Sequence, residues 1–492
     1  MDLQRKRFDR LVFWMSVVIV FVMAFHFTLD TDTWWHLAAG ERILETGEIL
    51  RQDPFSLTRA GEAWEYPGWL AQICMTLVFH VGGLVALNGL TALLVSLTFL
   101  VIWFSLEGPA LLRLSVLLLS AITSSVFWSA RPQLFSFLFS SLFILILEKE
   151  RKEQTRFLWF LPVLMAVWGN LHGGYVIGFM ILGAYFASCI ISSFQTLPSD
   201  RSLWKVHFRP MARLAVSGAA AVLTLVFNPD GLELLLYPFK TVEMAVLRSY
   251  IAEWQSPNFH LLANQPFLWI LFLSCASLVF SKHKSRLSDL PVLFIFAYIA
   301  FLAARNISTF ALVAAPILAR HANSIFTAFP GMKRISKPLP PFLSRIFNAV
   351  LLVSMLLLGI VIRFEFLSER TIQEELSLEL PVTAVDYLAE HKPDGNLFHS
   401  YNWGGYIIWR LHPTYLSFVD GRTDLFGDEI LSRYLQIWSA DRQALDLLAT
   451  YGIDVVLVEA KAPLASLLEC SQWELLYEDP QAVIYVRQDL DS

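Results

Sequence analysis

The stretch Asp30-Thr31-Asp32-Thr33-Trp34-Trp35-His36-Leu37-Ala38-Ala39-Gly40 follows directly on a run, Leu11 to Leu29, that holds no Asp, Glu, Lys or Arg. About 20 apolar residues cross a bilayer as one helix. The run therefore predicts a membrane span, and the two carboxylates mark where the chain leaves the apolar phase. Similar runs recur to residue 362. We place eleven spans, at about 11–29, 84–106, 110–128, 132–148, 157–171, 174–194, 212–228, 265–281, 289–304, 306–320 and 346–363. The stretch 157–194 is too long for one span and divides at Asn170-Leu171-His172-Gly173-Gly174, and 289–320 divides at Arg305-Asn306.

Composition agrees. Of 492 residues 56% are hydrophobic and 16% charged, and mean hydropathy is +0.54. Soluble domains carry roughly 25% charged residues. The net charge of −5 gives no basic surface for a nucleic acid. Cys74, Cys189, Cys275 and Cys470 are scattered without metal or disulfide spacing. Arg5, Lys6, Arg7 and Arg10 precede the first run, which lacks a small-residue cleavage site and reads as an uncleaved helix.

Lys and Arg are about three times as frequent in the alternate segments assigned to the cytoplasm as in those opposite. That bias puts the N-terminus inside and the C-terminal tail outside. The expected domains are a polytopic α-helical membrane domain, 1–363, with a long first external loop, 30–83, and an extracytoplasmic α/β domain, 364–492. In that tail Pro381–Glu390 and Leu431–Tyr451 read as helical, the latter in two pieces. Asn396–Ser400, Tyr415–Val419, Asp454–Val458 and Val483–Val486 read as strands. In the first loop Trp34–Leu44 has helical periodicity ending before Gly47, and Trp64–His80 reads as an interfacial helix with Trp64, Tyr66 and Trp69 at headgroup level.

Asp30 and Asp32 are the strongest candidate for chemistry. Carboxylates at a membrane boundary are costly unless solvated, paired or ligated. One can serve as a general base, and the other can hold a divalent metal or orient an acceptor. A solvated helix end carries the same letters. Asp53-Pro54-Phe55-Ser56 lies in the same loop, which has eight acidic and three basic side chains. Arg131, His172 and Arg305 emerge on the same side, against the charge bias. Arg pairs bidentately with phosphate and can stabilise a leaving group, whereas snorkelling to headgroups is the simpler account of any one of them. Asn228-Pro229-Asp230-Gly231 is a turn, and Glu253-Trp254-Gln255-Ser256-Pro257 follows it. In the tail, Tyr401-Asn402-Trp403-Gly404-Gly405-Tyr406 and Asp420-Gly421-Arg422 put glycines beside aromatic and charged groups, as a binding groove or a tight turn would. No P-loop, GxGxxG, HExxH or GxSxG motif is present. Few charges lie within the spans, which disfavours an ion-coupled transporter.

Asp-x-Asp-x-Trp-Trp-His-Leu-x-x-Gly, followed by Gly47 and Asp53-Pro54-Phe55-Ser56, resembles the first external loop of the GT-C superfamily. Its members include protein O-mannosyltransferases, lipid A aminoarabinose transferases and the oligosaccharyltransferase catalytic subunit. The order of motifs is most similar to that of a set of bacterial membrane proteins with Asp-x-Trp-Trp-His-Leu, Arg-Pro-Gln-Leu, Asn-Leu-His-Gly-Gly and a Gly-Gly-Tyr tail. The resemblance implies an inverting glycosyltransferase of a bacterial inner membrane. The sugar would come from a polyprenyl-phosphate donor and pass to an extracytoplasmic lipid, glycan or protein. It implies Asp32 as base and Asp30 as second acid or ligand of a divalent metal, Mg or Mn. Arg131, Arg305 and His172 would meet the donor phosphate, and Trp403, Tyr406, Asp420 and Arg422 the acceptor. Membrane lipids are the other expected partner, and no nucleic acid. The Asp-Glu pair of the mannosyltransferases is absent here. Trp403-Gly404-Gly405-Tyr406 is similar to the Trp-Trp-Asp-Tyr-Gly element of oligosaccharyltransferases but lacks its acid. A non-catalytic lipid-carrier transporter or an envelope assembly scaffold is the alternative class. It would leave Asp30 and Asp32 incidental.

Overall fold

The apolar runs form helices, and turn chemistry separates them. The computed structural model describes residues 2–26, 30–153, 155–200, 204–328, 341–364 and 369–488. Each expected span falls on a helix, although residues 27–29 of the first lie outside the described residues. Among the described residues five helices are long and apolar enough to cross a membrane: Trp69–Ser105, Ala110–Phe127, Tyr175–Gln195, Arg209–Phe227 and Leu262–Phe280. Phe160–Leu171 and Leu290–Leu302 are shorter and apolar. Pro210, Pro266 and Pro291 sit in first turns, where a missing N–H costs nothing.

The chain forms two compact units. A helical unit comprises Met1–His26, Asn88–Leu235 and Ile251–Glu365, and a mixed unit comprises Phe27–Leu87, Leu236–Tyr250 and Phe366–Ser492. The first loop and the tail therefore fold together.

In the helical unit, charge is buried among apolar helices. Arg320 Nη1 donates to both Asp289 oxygens at 2.9 and 2.7 Å, and Nη2 donates to Glu148. Arg151 also pairs with Asp289, at 2.6 Å. Tyr185 donates to Glu148 at 2.8 Å, and His321 bridges Asp289 and Ser281 at 2.8 Å each. A buried charge persists only when paired in this way. The network ties the helices Gln133–Arg151, Tyr175–Gln195 and Ile307–Ala328 to Asp289, which precedes Leu290–Leu302.

The mixed unit holds a four-stranded sheet of β1 (Asn396–His399), β2 (Ile453–Glu459), β3 (Trp473–Glu478) and β4 (Ala482–Arg487) in the order β1-β2-β4-β3. β1 pairs parallel with β2, Leu397 opposite Val455. β4 pairs antiparallel with β2 and β3, Val456 opposite Tyr485. Phe398, Val456, Val458 and Tyr485 pack with Phe426, Leu431 and Leu448 from the helices Thr423–Trp438 and Ala444–Thr450. The expected strand Tyr415–Val419 is not part of this sheet. Its backbone pairs with the first loop instead: Leu57 N–H donates to Ser417 O at 2.7 Å, and Ser417 N–H to Phe55 O at 2.9 Å.

Two more expectations change. The helix expected over Trp64–His80 begins at Trp69 and runs to Ser105, broken at Gly82-Gly83, where Gly83 has φ +58°. Trp64 is not at a surface. It is buried against Trp35 and Tyr66, with ring centroids 5.9 Å apart in each case. The helix Thr33–Thr46 ends as expected, with Gly47 left-handed at φ +70° and its N–H returned to Ile43 O.

Candidate functional site

Asp30 and Asp32 open the helix Thr33–Thr46 in the mixed unit. Asp30 Oδ1 accepts the Asp32 N–H at 3.0 Å, and Asp30 O accepts the Thr33 N–H at 3.1 Å. Asp30 thus caps the turn. Asp32 takes the N-cap position, but its carboxylate makes no capping bond. It is turned to the tail: a Cβ on Gly421 would stand 1.7 Å from Asp32 Oδ1 and 3.0 Å from Trp35 Nε1. A Cβ on Gly405 would stand 2.5 Å from Thr31 O, and one on Gly404 2.3 Å from Val419 O. Three glycines, two in Trp403–Tyr406 and one in Asp420–Arg422, let tail backbone lie directly against this corner.

The four residues expected to meet an acceptor are placed differently. Arg422 is 1% exposed. It grips Asp420 with Nε and Nη2 at 2.7 Å each, and Asp53 with Nη1 at 2.5 Å. Asp53 also accepts the N–H groups of Phe55 and Ser56 at 3.0 and 3.1 Å. Burial works against the Arg422 charge. Asp420 and Asp53 outweigh it and hold the guanidinium pKa above its ordinary value. Trp64 lies 4.8 Å from the guanidinium and Phe55 5.3 Å. Trp403 is buried with Nε1 donating to Glu379 O at 3.1 Å, and Tyr406 packs edge-on to Trp34 at 5.1 Å. The Trp403 indole and the Asp420 and Arg422 side chains thus have partners inside the fold, and the Tyr406 ring packs on Trp34. Among the described residues no group of three or more His, Cys, Asp or Glu side chains is placed to hold a metal ion.

Arg131 and Arg305 come together in the helical unit on Glu253, a residue to which the sequence assigns no role, and their charges reach His172. Glu253 gives one carboxylate oxygen to each guanidinium, at 3.4 Å from Arg131 Nη1 and 3.3 Å from Arg305 Nη1. Arg305 also lies over the Trp254 ring at 4.3 Å, and Ala304 N–H donates to Gln255 O. Burial opposes ionisation of Glu253, but the charges of Arg305 and Arg131 prevail and hold its pKa below the usual carboxylate range.

His172 closes the helix Phe160–Leu171. Its Nδ1 accepts the Gly174 N–H at 3.1 Å and contacts Ser136 Oγ at 2.8 Å. Trp168 Nε1 donates to the same Ser136 oxygen at 2.8 Å, which leaves the hydroxyl proton for His172. Nδ1 is thus an acceptor, and the ring proton sits on Nε2. Burial, then the charges of Arg305 and Arg131, pull its pKa down to about 3. The motif glycines have a steric reason: a Cβ on Gly174 would stand 2.4 Å from Ser136 Oγ. Asn228 ties the following turn to this hairpin through Gly169 O at 2.9 Å.

Two solved structures of the Archaeoglobus fulgidus oligosaccharyltransferase resemble this fold along almost the whole chain. AglB in complex with an inhibitory peptide and a dolichol-phosphate aligns over 98% of this chain and 74% of its own, with TM-score 0.52 and 11% identity. The enzyme tethered to an acceptor peptide containing the NVT sequon aligns over 97% and 74%, with TM-score 0.53 and 11% identity. The chain shares its fold with these structures. ArnT from Cupriavidus metallidurans bound to undecaprenyl phosphate aligns over 96% of this chain and 97% of its own at TM-score 0.48 and 12% identity. No family model and no curated protein matches the sequence. At such identity the shared property is the fold.

Proposed function

We propose that the chain is a membrane glycosyltransferase that moves a sugar from a polyprenyl-phosphate donor to an extracytoplasmic lipid, glycan or protein. The observation that carries this reading is the pairing of Arg131 and Arg305 on Glu253, with His172 within reach of their charges. Two guanidiniums and an imidazole N–H form an anion site at helix ends, where a lipid phosphate would lie with its tail among apolar helices. The dolichol-phosphate and undecaprenyl phosphate named with AglB and ArnT are ligands of the same chemistry.

Asp32 is the proposed base. It takes the proton of the acceptor hydroxyl or amine as that atom bonds to the anomeric carbon. The bond from that carbon to the phosphate oxygen breaks, and its electron pair stays on the phosphate. One displacement inverts the anomeric configuration. Arg131 and Arg305 stabilise the charge growing on the leaving phosphate, and His172, neutral with its proton on Nε2, donates to it. Asp30 positions Asp32 through its backbone N–H. A divalent ion, Mg or Mn, enters this proposal only through Asp30 as a single protein ligand, and no step of the transfer is assigned to it. We place the protein in a bacterial inner membrane with eleven spans, the N-terminus cytoplasmic and the tail outside.

Native mass spectrometry of the gently purified protein tests the reading. A polyprenyl phosphate or its sugar conjugate should co-purify and be lost on Arg131→Ala with Arg305→Ala. Movement of labelled lipid without glycoside formation, with carboxamides tolerated at Asp30 and Asp32, would replace it with a lipid-carrier transporter.

A further inference from the structure

Three buried indoles of the mixed unit, Trp34, Trp35 and Trp64, have an Nε1–H with no hydrogen-bond partner among the described residues. A buried tryptophan N–H usually finds an acceptor, and an orphaned donor bears the full cost of leaving water. Trp35 has an acceptor close by. The point where Gly421 would carry a Cβ is 1.7 Å from Asp32 Oδ1 and 3.0 Å from Trp35 Nε1. The two atoms are therefore at most about 4.7 Å apart, the sum of those distances.

The helix Thr33–Thr46 explains the approach. Asp32 is its N-cap and Trp35 its third residue. Side chains three apart share a face, and helical side chains lean back toward the N-terminus. The Trp35 indole thus reaches back to the turn where Asp32 stands. Packing fixes it there: the residue is 4% exposed, and its ring meets Trp64 at 5.9 Å and Tyr66 at 5.3 Å, both edge-on. The carboxylate is the movable partner. It makes no capping bond to the helix. A carboxylate has about four acceptor positions, so it can take this N–H in addition to other donors. Hydrogen bonds of catalytic groups are often long in substrate-free structures.

We propose that Trp35 is a positioning residue for Asp32: its indole N–H donates to Oδ1 of the ionised carboxylate and so turns Oδ2 toward the acceptor proton. The proposal rests on the reading of Asp32 as base. Trp35 does not touch the reacting atoms. It acts through the carboxylate, as a donor whose place is set by packing before substrate arrives.

The test uses the full-length protein in nanodiscs at neutral pH, with nitrogen-labelled tryptophan. Trp35→Phe and Trp64→Phe assign the two indole N–H resonances. Asp32→Ala removes the acceptor, and the Trp35 resonance should then move upfield while that of Trp64 stays in place. The second readout is transfer of labelled sugar from an undecaprenyl-phosphate donor. Trp35→Phe should lower kcat about 10- to 100-fold, the worth of one hydrogen bond to a charged group, and leave KM for the donor unchanged. Benzothienylalanine at position 35 keeps the ring shape, puts sulfur in place of the N–H and should reproduce that loss. Trp64→Phe takes the same N–H from the same aromatic cluster and should leave kcat near that of the parent protein. A Trp35 resonance indifferent to Asp32→Ala would overturn the proposal. So would parent-like kcat with benzothienylalanine, or equal losses in Trp35→Phe and Trp64→Phe, since Trp35 would then serve packing alone. If Asp32→Asn keeps the parent kcat, the base reading fails and the proposal falls with it, whatever the Trp35 resonance shows.

Discussion

Gly421→Ala is the sharpest probe of the Asp32 corner. The new methyl carbon would stand 1.7 Å from Asp32 Oδ1, and real contacts of this kind essentially never fall below 3.0 Å. The carboxylate oxygen must therefore retreat by about 1.3 Å, the gap between those two distances. A carboxylate at the end of a side chain can move at little cost, so folding stability should change by less than about 1 kcal/mol. Catalysis is less tolerant. A misplacement near 1 Å costs on the order of 100-fold, or about 2.7 kcal/mol in the barrier. The assay is transfer of labelled sugar from a polyprenyl-phosphate donor by the reconstituted protein, with thermal unfolding run beside it. Gly89→Ala is the control, since a Cβ there has no neighbour within 4 Å. Asp32→Asn sets the floor. If Gly421→Ala stays within threefold of the parent while Asp32→Asn is inactive, the tail glycine does not set the position of the base. If Asp32→Asn is itself active, Asp32 is not the base.

Three further outcomes are expected. Arg422→Met strands the buried carboxylates of Asp53 and Asp420 and should destabilise the mixed unit by about 3–5 kcal/mol, read as a lower unfolding temperature and faster proteolysis of the tail. His399 is buried, donates from Nδ1 to Ser400 O and accepts the Phe418 N–H at Nε2; burial lowers its pKa to about 4. The unfolded chain then takes up the proton first, so this stability is complete above about pH 6.5 and falls as pH drops to about 4, by up to roughly 3 kcal/mol; a pH series of unfolding temperatures that is flat over this window for the parent, or unchanged by His399→Gln, would contradict it. His172 should remain a neutral Nε2–H tautomer down to pH 5, so nitrogen NMR should show no titration of that ring between pH 5 and 8, and activity should show no inflection there that His172→Gln abolishes.

Local chemistry explains which parts of this architecture were readable in advance. The apolar runs, the Gly47 stop, the Asn170–Gly174 hairpin and the strand Ile453–Glu459 each follow from periodicity or turn residues within a short window. Tyr415–Val419 has the composition of a strand, but its partner is Phe55–Leu57, more than 350 residues earlier in the chain. Nothing in the stretch itself reports that. Asp53 and Arg422 are separated by 369 residues, so their ion pair has no local signature: Arg422 reads as an acceptor contact and Asp53 as a loop acid. Trp64 shows the same ambiguity: an aromatic anchor and a core tryptophan carry the same letters. Glu253 has no role in the sequence reading, because a lone acid in an external loop conforms to the charge bias. Only its two cationic neighbours give it meaning. Strand β3 and the helix Pro463–Glu469 were missed because the strand is half exposed and the helix has only seven residues.

The helices Gln133–Arg151 and Ile307–Ala328 have a charge cluster beside each end. Arg131 and Arg305 share Glu253 just before the two helices begin, and Glu148 pairs with Arg320 toward their far ends. At about 1.5 Å per residue the two anchor points on each helix are roughly 22–26 Å apart. Sliding either helix by one turn, about 5.4 Å, would break pairs at both ends at once. The two helices thus act as a ruler pinned at both marks. Rearrangements that leave this pair in place cannot change the distance between the Arg131–Glu253–Arg305 cluster and the far network.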